Sequence, residues 1–147
     1  MRLNRDLREF IELLNSHRVN YVIVGAHSLA FHGRPRYTGD LDILVEPTAE
    51  NAAKLMGALH LFGFAEAGFK ETDFIEPEKV IQLGRPPNRI DLLTSLTGVT
   101  HADAFESKLA AEMDGLPVFI LGREMLIRNK RAVARPQDLA DVDDLER

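Results

Sequence analysis

The chain has 147 residues, 45% of them hydrophobic, no cysteine and a formal net charge of −5. That is enough for one core and short for two, so a single domain over 1–147 is expected, while a disulfide framework, a thiolate nucleophile and a cysteine zinc site are excluded. The charge is uneven: residues 1–36 hold six Arg and three acids, whereas the rest hold twelve basic and twenty acidic side chains, which argues against a broad nucleic-acid-coating surface but leaves room for a local basic edge. No apolar run approaches the roughly 20 residues of a membrane span, and the opening MRLNRDLREF lacks the apolar core of a signal peptide. A cytoplasmic protein without a membrane partner is therefore expected.

In chain order, Leu7, Phe10, Ile11 and Leu14 recur at helical spacing and predict an amphipathic helix over 4–17. Tyr21 to Val24 is a β-branched run ended by Gly25, hence a strand. Ala26 to Phe31 suits a short helix stopped by Gly33 and Pro35. Asp40 to Val45 reads as a second strand. Thr48 caps a helix carrying Ala53, Leu55, Met56, Leu59 and Leu61 that ends near Gly63. The stretch 64–78 is irregular. Lys79 to Leu83 and Arg89 to Leu93 flank Arg85-Pro86-Pro87-Asn88 and predict two antiparallel strands. Ala110 to Met113 and Pro117 to Leu121 flank Asp114-Gly115, the composition of another hairpin. From Arg123 the tail reads as two helices broken at Arg135-Pro136. Together these elements predict an α/β fold with a small mixed sheet and flanking helices, packed mainly on one face.

Chemistry concentrates in "YVIVGAHSLAFHGRPRYTGDLDILVEP". Strand alternation turns Asp40 and Asp42 to one side and Leu41 and Ile43 to the other. Two converging carboxylates repel, and a divalent cation with oxygen ligands offsets that repulsion. A third carboxylate is available at Asp91, an acid inside the apolar strand "RIDLLT" that shares a face with Arg89 and Leu93. Three such groups can hold Mg²⁺ around a nucleoside triphosphate (NTP). Gly25, ending one strand and opening a helix, aims free backbone N–H groups at whatever lies before it, which suits phosphate, and Ser28 in the first turn offers a hydroxyl.

At these residues the sequence resembles the DNA polymerase β-like nucleotidyltransferase superfamily, with Gly25-Ala26, Asp40-Leu41-Asp42 and Asp91 matching its motifs in order. The stretch "VGAHSLAFHGRPRYTGDLDILV" and the closing "LIRNKRAVARPQDLADVDDL" resemble its compact prokaryotic branch, related to AbiEii-type toxin nucleotidyltransferases. The resemblance implies a nucleotidyltransferase (polymerase β-like) fold and metal-dependent transfer of a nucleoside monophosphate to an acceptor. Asp40, Asp42 and Asp91 would be the catalytic metal ligands for Mg²⁺ or Mn²⁺, with Gly25, Ala26, Ser28, Arg36 and Lys130 on the nucleotide. Ala26 departs from the pattern, since many members carry Gly or Ser there, so the hydroxyl expected at that position is missing. The acceptor, whether RNA, protein or small molecule, is not legible. The chain has no room for a separate acceptor domain, so a partner protein or a homodimer cleft is expected to complete the site.

Other residues carry plainer readings beside functional ones. Arg34 and Arg36 precede the acidic pair and can fork phosphate oxygens or sit solvated in a loop; Thr38 suits a loop hydrogen bond. His27 and His32 are not at zinc-ligand spacing. Lys130, Arg131 and Arg135 near one helix end and Asp138 at the next helix start match the helix dipoles without any function, although Lys130 and Asp138 also fit the branch's pattern. The alternative to an enzyme is a nucleotidyltransferase fold without catalysis, serving as a binding or regulatory module, in the manner of one half of a toxin-antitoxin pair.

Overall fold

The computed structural model describes residues 3–33, 39–85 and 88–147. It begins with α1 (Arg5–Ser16), opened by Asn4, whose side-chain oxygen accepts the Leu7 N–H at 2.9 Å. Then follow β1 (Tyr21–Val24), α2 (Gly25–His32), β2 (Leu41–Val45) and α3 (Ala49–Leu59), the last capped by Thr48 as its sequence foretells. The chain leaves α3 through a wide turn over His60–Phe64, where Gly63 takes φ of 106°. The irregular stretch holds one tight turn, Glu71–Phe74, which anchors Phe74 in the core. Next come β3 (Val80–Leu83), β4 (Ile90–Leu93), α4 (His101–Glu106), β5 (Leu109–Met113), β6 (Leu116–Ile120), α5 (Arg123–Val133) and α6 (Pro136–Leu145).

The six strands form one mixed sheet in the order β3-β4-β2-β1-β6-β5. Both hairpins expected from the sequence form: β3 pairs antiparallel with β4, and β5 with β6. At the centre β1 runs antiparallel to β2, while β1 and β6, and β2 and β4, are parallel. The short helix α4 was not legible in the sequence, because its six residues HADAFE carry almost no helical periodicity; Thr100 starts it by accepting the Asp103 N–H at 3.1 Å.

One expectation is corrected. The helices cover both faces of the sheet, not mainly one. Tyr21, Ile23, Leu41, Ile43, Val45, Ile90 and Leu92 pack against Leu7, Phe10, Ile11 and Leu14 of α1 and Leu55 and Leu59 of α3. Val22, Val24 and Leu44 face the other way, onto Leu29 of α2, Ala104 of α4, Leu126 and Ile127 of α5, and Val142 and Leu145 of α6. The reason lies in the strands themselves. In "YVIV" both parities are apolar and all four residues are buried, as a strand covered on both sides requires. No helix among the described residues is long and apolar enough to cross a membrane.

Candidate active site

The sheet register assembles the acids. Val24 stands opposite Asp42, Asp42 opposite Asp91, and Asp91 opposite Gln82, so four neighbouring strands contribute one row of side chains. In that row the two carboxylates are adjacent, at a separation where side chains on neighbouring strands touch. Because Leu41, Ile43, Ile90 and Leu92 are committed to the first core, alternation sends Asp42 and Asp91 to the opposite face, beside α2.

Gly25 follows Val24 and packs directly on this row. It takes φ of 67°, the left-handed region, and a Cβ there would overlap Oδ2 of Asp42. Glycine is thus required twice, by backbone conformation and by the approach of a carboxylate. Val24, at the position preceding α2, supplies no side-chain cap, so the first N–H groups of that helix keep their capacity for an outside acceptor.

Among the described residues, Arg89 brings a cation to the site. Its Nε and Nη2 donate to Oδ1 and Oδ2 of Asp91 at 2.7 and 3.1 Å, a bidentate fork. Its backbone N–H donates to Oδ1 of Asp40 at 2.9 Å, and its Nη2 lies 3.6 Å from Oδ2 of Asp40. Asp40 and Asp91 are therefore tied through one guanidinium. Asp42 is left with the surplus charge: burial, then the neighbouring Asp91 and Asp40, push its pKa from 3.8 up to about 7, against the opposing pull of Arg89. Near neutral pH the Asp42 carboxyl is therefore only partly ionised.

The three sequence-predicted acids thus gather at one edge, but Arg89 already spans Asp40 and Asp91. Among the described residues no three His, Asp or Glu side chains stand together as a ready metal cage. The donor chemistry nevertheless suits a hard divalent cation: crowded carboxylate oxygens, with the Asp42 pKa raised by burial and then by its acidic neighbours.

The remaining candidates fall into three groups. Ala26 is half-buried in the first turn of α2, beside the site. Ser28 is wholly buried and its hydroxyl has no partner, so it faces the interior and not the turn where a phosphate donor was expected. Arg36, with Arg34 and Thr38, lies outside the described residues. Lys130 is nearly buried and bonds Asp138 at 3.3 Å and Asp141 at 2.9 Å, an ion-pair knot between α5 and α6. His27, buried beside the Asp40 backbone, has its pKa lowered by burial, while His32 Nε2 bonds the Leu121 carbonyl at 2.6 Å. Sequence reasoning placed Arg89 on the face of Asp91 without giving it a role, and missed Gln82 altogether. The signal for both was present: once the two strands form a hairpin, its register carries Gln82 to Asp91.

No protein-family model matches the chain, and no curated protein sequence matches it. Among solved structures, a provisionally assigned nucleotidyltransferase from Thermotoga maritima superposes with a TM-score of 0.61 at 17% identity, over 97% of this chain and 89% of that one. The lincosamide antibiotic adenylyltransferase LnuA, with lincomycin bound, superposes with a TM-score of 0.59 at 12% identity, over 98% of this chain and 96% of that one. At such identities the likeness is one of architecture, and it extends over nearly the whole length of each molecule: the chain has the nucleotidyltransferase fold.

Proposed function

We propose that the protein transfers a nucleoside monophosphate from an NTP to an acceptor hydroxyl or phosphate. The observation that carries this reading is the row in which Asp42 and Asp91 stand side by side against the uncapped, glycine-opened start of α2. Acidic oxygens and free backbone N–H groups side by side suit one kind of guest, a polyphosphate with its counter-cations.

In this reading Asp40, Asp42 and Asp91 would hold Mg²⁺ or Mn²⁺, in competition with Arg89. A bound divalent cation would reduce the repulsion between triphosphate and incoming oxygen and neutralise the departing pyrophosphate. The chain's own residues do the rest. The Gly25 turn and the N–H groups that follow orient the triphosphate, with Ala26 leaving contact there to the backbone. Arg36, and Lys130 if its two carboxylates release it, supply positive charge to the phosphates. Asp91 receives the acceptor's proton as the acceptor oxygen bonds the α-phosphorus, and the bond from that phosphorus to the β-phosphate bridging oxygen breaks, its electron pair leaving with pyrophosphate.

The site is completed by a homodimer cleft or a partner protein in the cytoplasm, and the closing "LIRNKRAVARPQDLADVDDL" supports placement in the compact branch related to AbiEii-type toxins. The test uses each α-labelled NTP with Mg²⁺ or Mn²⁺ and a pool of RNA, protein and small hydroxylated acceptors. Label should move to one acceptor class, and Asp40→Ala should abolish the transfer. Binding of NTP without transfer would favour the regulatory-module reading. No NTP binding at millimolar concentration with either metal would sink both.

A further inference from the structure

The carboxylate face of the sheet is covered unevenly. Helices α2, α4, α5 and α6 close over β1 and the inner half of β2. Beyond Asp91 the cover thins: Leu93 of β4 packs only partly at the margin of that cluster, and Val80 of β3 is exposed. There a groove of about 540 Å³ runs between Glu78, Lys79, Val80 and Leu93 on one side and Ser95, Leu96, Thr97 and Gly98 on the other. Its volume falls within the range of small-molecule sites.

We infer that this groove receives the acceptor, and that the acceptor is a small, uncharged, hydroxylated molecule with an apolar portion. Register supplies the first reason. Val80 is paired with Leu93 and Gln82 with Asp91, so the groove floor is the next row of side chains on the face that carries the carboxylates. One row along a strand is about 7 Å, so a molecule lying on Val80 and Leu93 presents its near end to Asp91. Chemistry supplies the second. Val80 is 54% exposed, an apolar side chain with no helix over it, and it lies beside the half-buried Leu93 and Leu96 and the polar Ser95 and Thr97. At the carboxylate end stands Gln82, exposed, on the same row as Asp91, and without a side-chain partner among the described residues. Its amide both donates and accepts, which fits a hydroxyl better than an ion.

Charge supplies the third. Among the described residues the only cation lining the groove, Lys79, is paired with Glu76 at 3.4 Å, and the other charged lining residue is Glu78. An RNA acceptor needs a basic track for its phosphates, and the described lining of the groove offers none. Finally, the groove is built in advance. Asn129 of α5 donates to the Thr97 carbonyl at 2.9 Å, the Ser95 hydroxyl accepts the Glu78 N–H at 3.0 Å, and Gly98 sits so close to Ala132 that a Cβ would overlap it. As an acceptor site the groove rests on the nucleotidyl-transfer reading, while as a binding site for such a molecule it stands on its own geometry.

Butyl glucoside, which joins hydroxyls to a short alkyl chain, is the probe. Titrated into the isotope-labelled protein, it should shift the Gln82 side-chain amide and the Val80 and Leu93 methyl signals together and saturably. Val80→Arg should weaken that binding by roughly tenfold or more, and Gln82→Ala should weaken it with the thermal midpoint unchanged, which guards against misfolding as the cause. ATP with Mg²⁺ is titrated separately and followed at Gly25 and Ala26. Glucoside shifts without ATP shifts would overturn the nucleotide reading and leave the groove standing; ATP shifts with no glucoside response at Val80 and Gln82 would overturn the groove. A single-stranded oligoribonucleotide that moves the same groove signals more tightly than the glucoside would overturn the acceptor class.

Discussion

Asp42 concentrates the electrostatic cost of the site in one side chain. Its pKa is about 7 in the folded chain against 3.8 for the free group. Between those values the folded state holds a proton that the unfolded state has released, so stability is greatest on the acid side of the window and falls as pH rises through it. Asp42→Asn replaces the titrating carboxyl with a neutral amide of nearly the same shape. At pH 8 this should raise the stability of the metal-free protein by about 1 to 3 kcal/mol, with a smaller gain at pH 5. Urea melts at the two pH values check it. Mg²⁺ should raise the melting temperature of the parent at pH 8 and leave Asp42→Asn unmoved. A loss of metal-free stability in the variant would show that the carboxylate makes a structural contact the amide cannot replace.

At the scale of elements, the closing helix pair shows how a motif can be structural and still resemble a site. Asp138 caps α6, accepting the Arg135 backbone N–H at 3.2 Å and its Nε at 2.6 Å, while Lys130 reaches over from α5. The Arg135 bond first, and Lys130 after it, draw the Asp138 pKa down to about 2, so this contribution is present above the ordinary carboxylate range and is lost as pH falls through 2. The connection itself carries strain. Ala134 ends α5 in the left-handed conformation at φ of 57°, its N–H donating to the Lys130 carbonyl at 2.9 Å. Glycine is the usual residue for that geometry. Ala134→Gly should therefore stabilise the protein by about 1 kcal/mol, measured by chemical denaturation, since the left-handed penalty for a Cβ exceeds the added entropy of the unfolded chain.

At the scale of the molecule, β1 and β2 belong to both cores at once, so neither helical layer can leave without exposing the strands that hold the other. Unfolding should be a single transition. Methyl signals of Leu55, in α3, and of Leu126, in α5, should disappear at the same urea concentration. Separate midpoints would mean that the two layers are independent units.

Much of this was legible in local sequence. Periodicity placed α1 and α3, and Gly25 and Asp114-Gly115 marked turns, because these features depend on neighbours a few residues away. The spacing of Asp40 and Asp42 and the lone acid of "RIDLLT" marked the site for the same reason: a charge in an apolar strand is conspicuous without any fold. Tertiary structure decided what those residues meet. Only the register between β2 and β4 sets Asp42 against Asp91, only the β3–β4 hairpin brings Gln82 to the same row, and only three-dimensional packing makes Arg89 the counter-charge and Lys130 a partner of Asp138 and Asp141. Pairing across strands joins residues as far apart as Asp42 and Asp91, and no pattern within a single strand encodes its partner's alignment. The sequence by itself determined which side chains carry charge and on which face of a strand they stand; the sheet decided which charges share a site.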